Sequence, residues 1–199
     1  DGGTVQGRIE DAQARLNLNA IAGIDAASTV ARERLARLFE RRGLDPALVD
    51  AVADWIDPDA VSRERGAEDA AYEGRHGVAA NAPMARSGEL AAVRGFTAAL
   101  VARVAPYVVA LPADAGVNVN TAPRQVLLCL PGLEPSDVEA LIARRSSPDA
   151  DLFTIGWVAG ALTDGDRIAA ARGSVDAAGF HLRLVDPGAD AWRRYYDEI

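Results

Sequence analysis

Lysine is missing altogether: all 21 basic residues are arginine, set against 29 acidic ones, for a formal net charge of −8. A net-acidic chain is repelled on average by phosphate backbones, so general adhesion to nucleic acid or to anionic membranes is not expected. Cysteine occurs once, at Cys129, which excludes an intrachain disulfide and a cysteine zinc site. A single thiol suits the cytosol and the periplasm equally, so the count does not decide the compartment. The two histidines, His76 and His181, are far apart and belong to no spaced motif. No run approaches the ~18 apolar residues that a membrane span needs.

Signatures of catalysis are also lacking. Ser87-Gly88-Glu89 and Ser146-Ser147 have no neighbouring His or Lys and sit in no nucleophile elbow. There is no glycine-rich phosphate loop. Cys129 lies in an apolar helical run and reads as a small core residue. The expectation is a protein that is not an enzyme.

What remains is ordinary globular composition, with 49% hydrophobic and 25% charged residues over 199 positions, enough for one generous domain or two small ones. The chain opens at Asp1 in strand-like sequence, Thr4 to Asp11, and the expectation is that a targeting or anchoring segment has been removed upstream. Asp11 to Arg15 turn toward Leu16-Asn17-Leu18-Asn19. Ser28 or Thr29 can then cap a helix bearing Val30, Leu35, Leu38 and Phe39, with its end at Gly43. Asp45-Pro46 opens a second helix with Leu48, Val49, Val52, Trp55 and Ile56 on its apolar stripe. Periodicity vanishes over residues 57–88, a stretch that needs another source of order.

Helical patterning resumes at Glu89. Thr97 can cap a helix with Leu100, Val101 and Val104 that fades at Pro106. Val117-Asn118-Val119-Asn120-Thr121 feeds a helix with Pro123 in its first turn and Val126, Leu127 and Leu130 inward. Pro131-Gly132-Leu133 breaks it, and a partner helix runs through Val138, Leu141 and Ile142 to Arg144-Arg145. Weaker helices are expected at 154–162 and 164–171. Phe180, Leu182 and Leu184 then alternate as a strand, and Ala191 to Tyr196 reads as another. The fold class is therefore α+β: a helical domain over 25–172, inserted into a small sheet built from 1–24 and 173–199.

A weak repeat runs through the helical part. Leu90-x-x-Val93-x-Gly95-Phe96 aligns with Leu127-x-x-Leu130-x-Gly132-Leu133, and Leu38 to Gly43-Leu44-Asp45-Pro46 gives a looser third copy. Glycine would end one helix and the following hydrophobe would lock the next against it. The last copy resembles the helix-hairpin-helix of some DNA-uptake and repair proteins, where backbone N–H groups hold a phosphate. Glu134 replaces the second glycine here, with Thr97 and Asp45 at the matching places, and only Arg124, Arg144 and Arg145 add basic character. Asn and Thr side chains are expected to cap turns instead. A DNA-binding protein of an uptake system is the alternative reading.

The strongest cluster is Asp54-Trp55-Ile56-Asp57-Pro58-Asp59 followed by Gly66-Ala67-Glu68-Asp69. Five of the thirteen residues from Asp57 to Asp69 are acidic, offset by Arg63 and Arg65 alone. Crowded carboxylates repel, and a hard cation with several oxygen ligands and tolerant geometry, Ca²⁺ above all, reverses that cost. Asp57, Asp59 and Glu68 match the first, third and twelfth positions of an EF-hand loop, but Val61 and Ser62 break the pattern, so the loop is not an EF-hand. Nearby His and Cys are absent, which disfavours zinc. On the residues alone, a solvated acidic loop stays open beside the cation site.

Taken in order, Leu16-Asn17-Leu18-Asn19, Asp54-Trp55-Ile56-Asp57-Pro58-Asp59, Gly66-Ala67-Glu68-Asp69-x-x-Tyr72, Ala80-Asn81-x-Pro83, Glu89-Leu90-x-x-Val93-Arg94-Gly95 and Val117-Asn118-Val119-Asn120-Thr121-Ala122-Pro123 resemble the K-type minor pseudopilins of the type II secretion system. The resemblance covers roughly residues 5–145 and implies a periplasmic protein of a Gram-negative cell, held in the inner membrane by an N-terminal helix. It implies a place at the pseudopilus tip with I-type and J-type minor pseudopilins, a role in starting assembly, and no nucleic-acid partner. It also implies a large helical domain inserted into a pilin-like α/β core. Calcium binding, carried over by motif position, falls on Asp57, Asp59, Glu68 and Asp69, with Asn81 or backbone carbonyls as further ligands. The sequence departs from the family in its short tail after Phe180 and in Gly74-Arg75-His76-Gly77, where the family has a proline-tyrosine stretch.

Overall fold

A computed structural model describes residues 10–74 and 77–146. Residues 4–9 of the strand expected over 4–11, the helices at 154–162 and 164–171, the strands at 180–184 and 191–196, and both histidines lie outside the described residues; Glu10 and Asp11 are not in a strand.

Helix α1 (Ala26–Arg41) begins slightly earlier than expected, because Asp25 rather than Ser28 or Thr29 is its cap. The Asp25 carboxylate accepts from the Ser28 N–H at 2.9 Å and from the Ser28 hydroxyl at 3.0 Å. Those bonds hold its pKa below the usual carboxylate value. The other end stops at Gly43 as read. Gly43 takes φ +68, its N–H reaches the Glu40 carbonyl at 2.9 Å, and the Leu44 N–H reaches that of Phe39 at 2.8 Å. This pair of bonds satisfies carbonyls that a helix end leaves open, and it buries Leu44.

Helix α2 (Leu48–Ile56) follows a tight turn in which the Ala47 N–H donates to Asp45 Oδ1 at 2.9 Å. Asp45 thus closes the turn ahead of the helix rather than capping it; the cap position is Ala47, without a side-chain bond, and the α-helical register starts at Leu48. From Ala51 to Ile56 every residue of α2 is buried, including Asp54. The helix expected from Glu89 is a 3-10 turn, Ser87–Ala91. Gly88 in its first turn and the left-handed Gly95 leave no room for a longer helix. A Cβ at Gly95 would lie 2.5 Å from Leu48 Cδ2, so glycine lets this turn sit on the start of α2. Helix α3 (Ala98–Val104) is capped by Thr97, whose Oγ1 accepts from the Leu100 N–H at 3.3 Å. Short α4 (Arg124–Leu127) and longer α5 (Pro135–Arg145) form the last pair. The three repeat glycines, Gly43, Gly95 and Gly132, all adopt positive φ. The repeat is a repeat of turns.

Among the described residues one small parallel pairing occurs: β1 (Leu16–Asn17) against β2 (Val108–Val109), with Leu16 opposite Val108. The sequence reading had no strand at 108–109, because two residues after a proline carry no period. Buried amides make the join. Asn17 donates to the Pro112 carbonyl at 2.7 Å and accepts from the Leu111 N–H at 3.0 Å. Asn19 donates to the carbonyls of Met84 and Leu111, both at 2.9 Å, and accepts from the Met84 N–H at 2.8 Å. Leu16, Leu18 and Ile21, placed by sequence in the sheet portion, share one core with Leu38, Phe39 and Leu127. Residues 16–21 therefore pack with the helices, while strands and helices together bear out a mixed α+β structure.

Candidate metal centre

The acidic loop is organised from α2. Asp54 and Asp57 stand three residues apart, so the helix brings their side chains to one side. Asp54 is fully buried. Its Oδ2 accepts from the Ala67 N–H at 2.8 Å, the Arg63 N–H at 3.1 Å and the Ser62 hydroxyl at 3.4 Å, and its Oδ1 accepts from Arg63 Nη1 at 2.6 Å. A carboxylate with four donors is the source of order that the missing apolar stripe called for. Gly66 is obligatory here, since a Cβ would stand 1.8 Å from Asp54 Oδ2.

Asp57 ends α2 in an extended conformation, its N–H on the Ala53 carbonyl at 2.9 Å, and Pro58 after it favours that geometry. The Arg63 guanidinium donates to its Oδ2. Asp59, on the exposed side, accepts from the Val61 N–H at 2.8 Å. Glu68 returns to the same place from the far end of the loop. One oxygen from each of Asp57, Asp59 and Glu68 lies within 4.8 Å of the others. Three of the four expected ligands are therefore gathered. Asp69 is not in that group; its Oδ1 accepts from the Ala79 N–H at 2.8 Å and ties the following segment back to the loop. Asn81, two residues further, has φ +46, a conformation Asn tolerates better than most residues.

Burial and charge set the chemistry. Asp57 is 2% and Glu68 9% exposed. Asp57 Oδ1, both Glu68 carboxylate oxygens and Asn81 Oδ1 are buried with no hydrogen-bond partner among the described residues. Buried oxygens are normally bonded, so a set of four such atoms is a strong departure. Burial, then repulsion from Asp54, Asp57, Asp59 and Asp69, pushes the Glu68 carboxyl up to about 7. An all-oxygen donor set with excess negative charge fits a hard divalent cation such as Ca²⁺, and offers zinc none of its preferred nitrogen or sulfur. Beside the loop, Trp55 and Tyr72 pack edge to face with centroids 5.1 Å apart, and the Tyr72 hydroxyl accepts from the Arg94 N–H at 3.2 Å.

Residue patterning alone assigns no role to Asp54 or Arg63. The available signal was a charged residue in an otherwise apolar stripe, one helical turn before Asp57.

The second Asn-rich turn is structural, as expected. Asn118 accepts from the Asn120 N–H at 3.1 Å and donates to Asp11 at 2.8 Å, and the Thr121 hydroxyl donates to the same Asp11 oxygen at 2.6 Å. Arg145 donates to the carbonyls of Val119 and Ala122 at 2.8 and 2.7 Å, so its charge points inward. Arg124 pairs with Glu139. At the start of α5, Glu134 is joined by Asp137, which accepts the Glu134 N–H at 2.9 Å. Two carboxylates there are the wrong charge for a phosphate. Burial pushes the Cys129 thiol up to about 11, far from nucleophilic.

The family model for protein K of the type II secretion system matches residues 14–113. The chain belongs to this family. Among its protein K relatives, that of Pectobacterium carotovorum subsp. carotovorum is 36% identical over 163 residues, covering 73% of this chain and 50% of the relative. That of Aeromonas hydrophila is 40% identical over 146 residues, covering 64% and 44%. A chain in the crystal structure of the GspK–GspI–GspJ complex from enterotoxigenic Escherichia coli matches with a TM-score of 0.56 and 30% identity, over 71% of this chain and 59% of that one. This protein K family member thus spans about half the length of the relatives it matches. The stretch matched by the family model contains the whole acidic loop.

Proposed function

We propose that this chain is the periplasm-facing part of a minor pseudopilin that binds I-type and J-type partners and caps the pseudopilus tip. Its membership of the protein K family carries the reading, and the fold it shares with a chain of the GspK–GspI–GspJ complex supports the partner assignment. In the full protein an N-terminal helix would hold it in the inner membrane, and the helical domain would form a head on that stalk. A head too wide for a continuing helical array has to sit at its end, which gives a steric reason for a role in initiation rather than elongation. The work is assembly, without catalysis.

Calcium has a structural part in this reading. Asp57, Asp59 and Glu68 would hold the ion, with Asn81 Oδ1 as a further oxygen, and Asp69 would fix the 79–81 segment against them. The ion would supply positive charge where three carboxylates converge, and so keep the 57–69 loop a rigid part of the head. The decisive experiment is co-purification of this chain with the ectodomains of I- and J-type pseudopilins. A stoichiometric ternary complex is expected, and three separately eluting proteins at micromolar concentration would overturn the assignment.

A further inference from the structure

The loop contains a cation of its own. Arg63 Nη1 bonds Asp54 Oδ1 at 2.6 Å and also bonds Asp57 Oδ2, so one guanidinium nitrogen bridges the two carboxylates of the α2 C-terminal turn. Asp57 is in turn one of the three residues gathered as cation ligands. The Arg63 side chain remains 24% exposed, whereas those of Asp54 and Asp57 are 0% and 3% exposed. The guanidinium therefore has a way out to water that its partners lack.

The loop does not depend on that guanidinium for its attachment. The backbone N–H groups of Arg63 and Ala67, together with the Ser62 hydroxyl, hold the other oxygen of Asp54. Backbone anchoring and side-chain charge are thus separate functions of the same short segment.

Resting on the calcium reading above, we infer that the Arg63 guanidinium on Asp57 Oδ2 opposes a divalent ion taken by the open Oδ1 of the same carboxylate, so that Arg63 sets the ion concentration at which the site fills. Without the ion, Arg63 neutralises Asp54 and Asp57 and keeps the buried carboxylates from driving the loop apart. When the ion arrives, two cations at one carboxylate repel, and the partly exposed guanidinium gives way. Arg63 is a positioning residue for the metal-free state and a competitor for the filled one.

The test is calorimetric titration of Ca²⁺ into the 199-residue chain, its Arg63→Gln and its Arg63→Lys variants, with thermal melts in chelator and in excess Ca²⁺. Arg63→Gln is expected to bind Ca²⁺ about tenfold more tightly and to melt lower in chelator, while matching the parent in excess Ca²⁺. Arg63→Lys, which keeps the charge, is expected to bind close to the parent. An unchanged or weaker affinity in Arg63→Gln would overturn the inference while leaving the site intact. Absence of binding by the parent chain and both variants would instead overturn the calcium reading on which it stands.

Discussion

Two stretches of this protein, 57–69 and 117–122, carry many polar side chains, yet they end up differently: Val117, Val119 and Ala122 anchor the second in the core, whereas Ala67 is the buried apolar residue of the first. In the asparagine turn the side-chain bonds close on the protein: Asn118, Thr121, Asp11 and Arg145 supply donors and acceptors to one another and to backbone. In the acidic loop Asp54 is equally well served, but Asp57 and Glu68 keep buried oxygens open. Neutral amides both donate and accept, so a cluster of them can complete itself. Ionised carboxylates only accept, and a cluster of them needs donors or cations from elsewhere. The contrast separates a turn whose side-chain bonds close mainly on the protein from one that leaves several buried carboxylate oxygens open.

The hardest blow to that contrast is aimed at Asp54. Asp54→Ala strips four donors of their acceptor and leaves the Arg63 charge half-buried; a loss of about 3–5 kcal/mol in urea unfolding is expected, together with loss of Ca²⁺ binding by titration. Retention of full stability would mean that the loop is held by something other than this carboxylate.

Calcium itself comes next. At about a hundredfold excess over its dissociation constant, Ca²⁺ should stabilise the chain by about 2.7 kcal/mol, and the double change Asp57→Asn with Glu68→Gln should erase the gain. The effect has a pH signature. Glu68 has a folded-state value of about 7 against an ordinary 4.5, so in chelator its contribution is complete below about 4.5 and is lost as the pH rises through about 7. Metal-free protein should therefore melt lower at pH 8 than a Glu68→Gln variant, relative to the same pair at pH 5. Protons also compete with the ion, so Ca²⁺ affinity should fall below pH about 7. Melting curves across pH 5–8, with and without chelator, read both effects.

The smallest effect sharpens the other side. Asn118→Ala removes an acceptor for the Asn120 N–H and a donor to Asp11. A loss of about 1–3 kcal/mol is expected, with the Ca²⁺-dependent rise in melting temperature unchanged. If that rise shrank as well, the two stretches would be coupled rather than independent.

Legibility followed the kind of signal each element carries. The end of α1 at Gly43, the Thr97 cap and the span of α5 were readable because they rest on local rules of apolar spacing and capping. Acidic density without periodicity marked the 57–69 loop, and the family resemblance named Asp57, Asp59, Glu68 and Asp69 within it, of which the first three come together. Asp25 displaced the expected cap because Ser, Thr and Asp compete for that role within one turn, and which one wins depends on where the chain enters. The pairing of 16–17 with 108–109 was invisible, since buried amides some ninety residues away in sequence specify it. Asp54 and Arg63 escaped for the same reason: a sequence displays charges, but not which backbone N–H groups will converge on them.

The edge-to-face rings of Trp55 and Tyr72 stand on either side of the acidic loop in the chain, one just before Asp57 and one just after Asp69. Any loosening of the loop changes the surroundings of that indole. An optical gauge thus stands beside the proposed ion site: adding Ca²⁺ or chelator should change the emission of Trp55 without any attached dye.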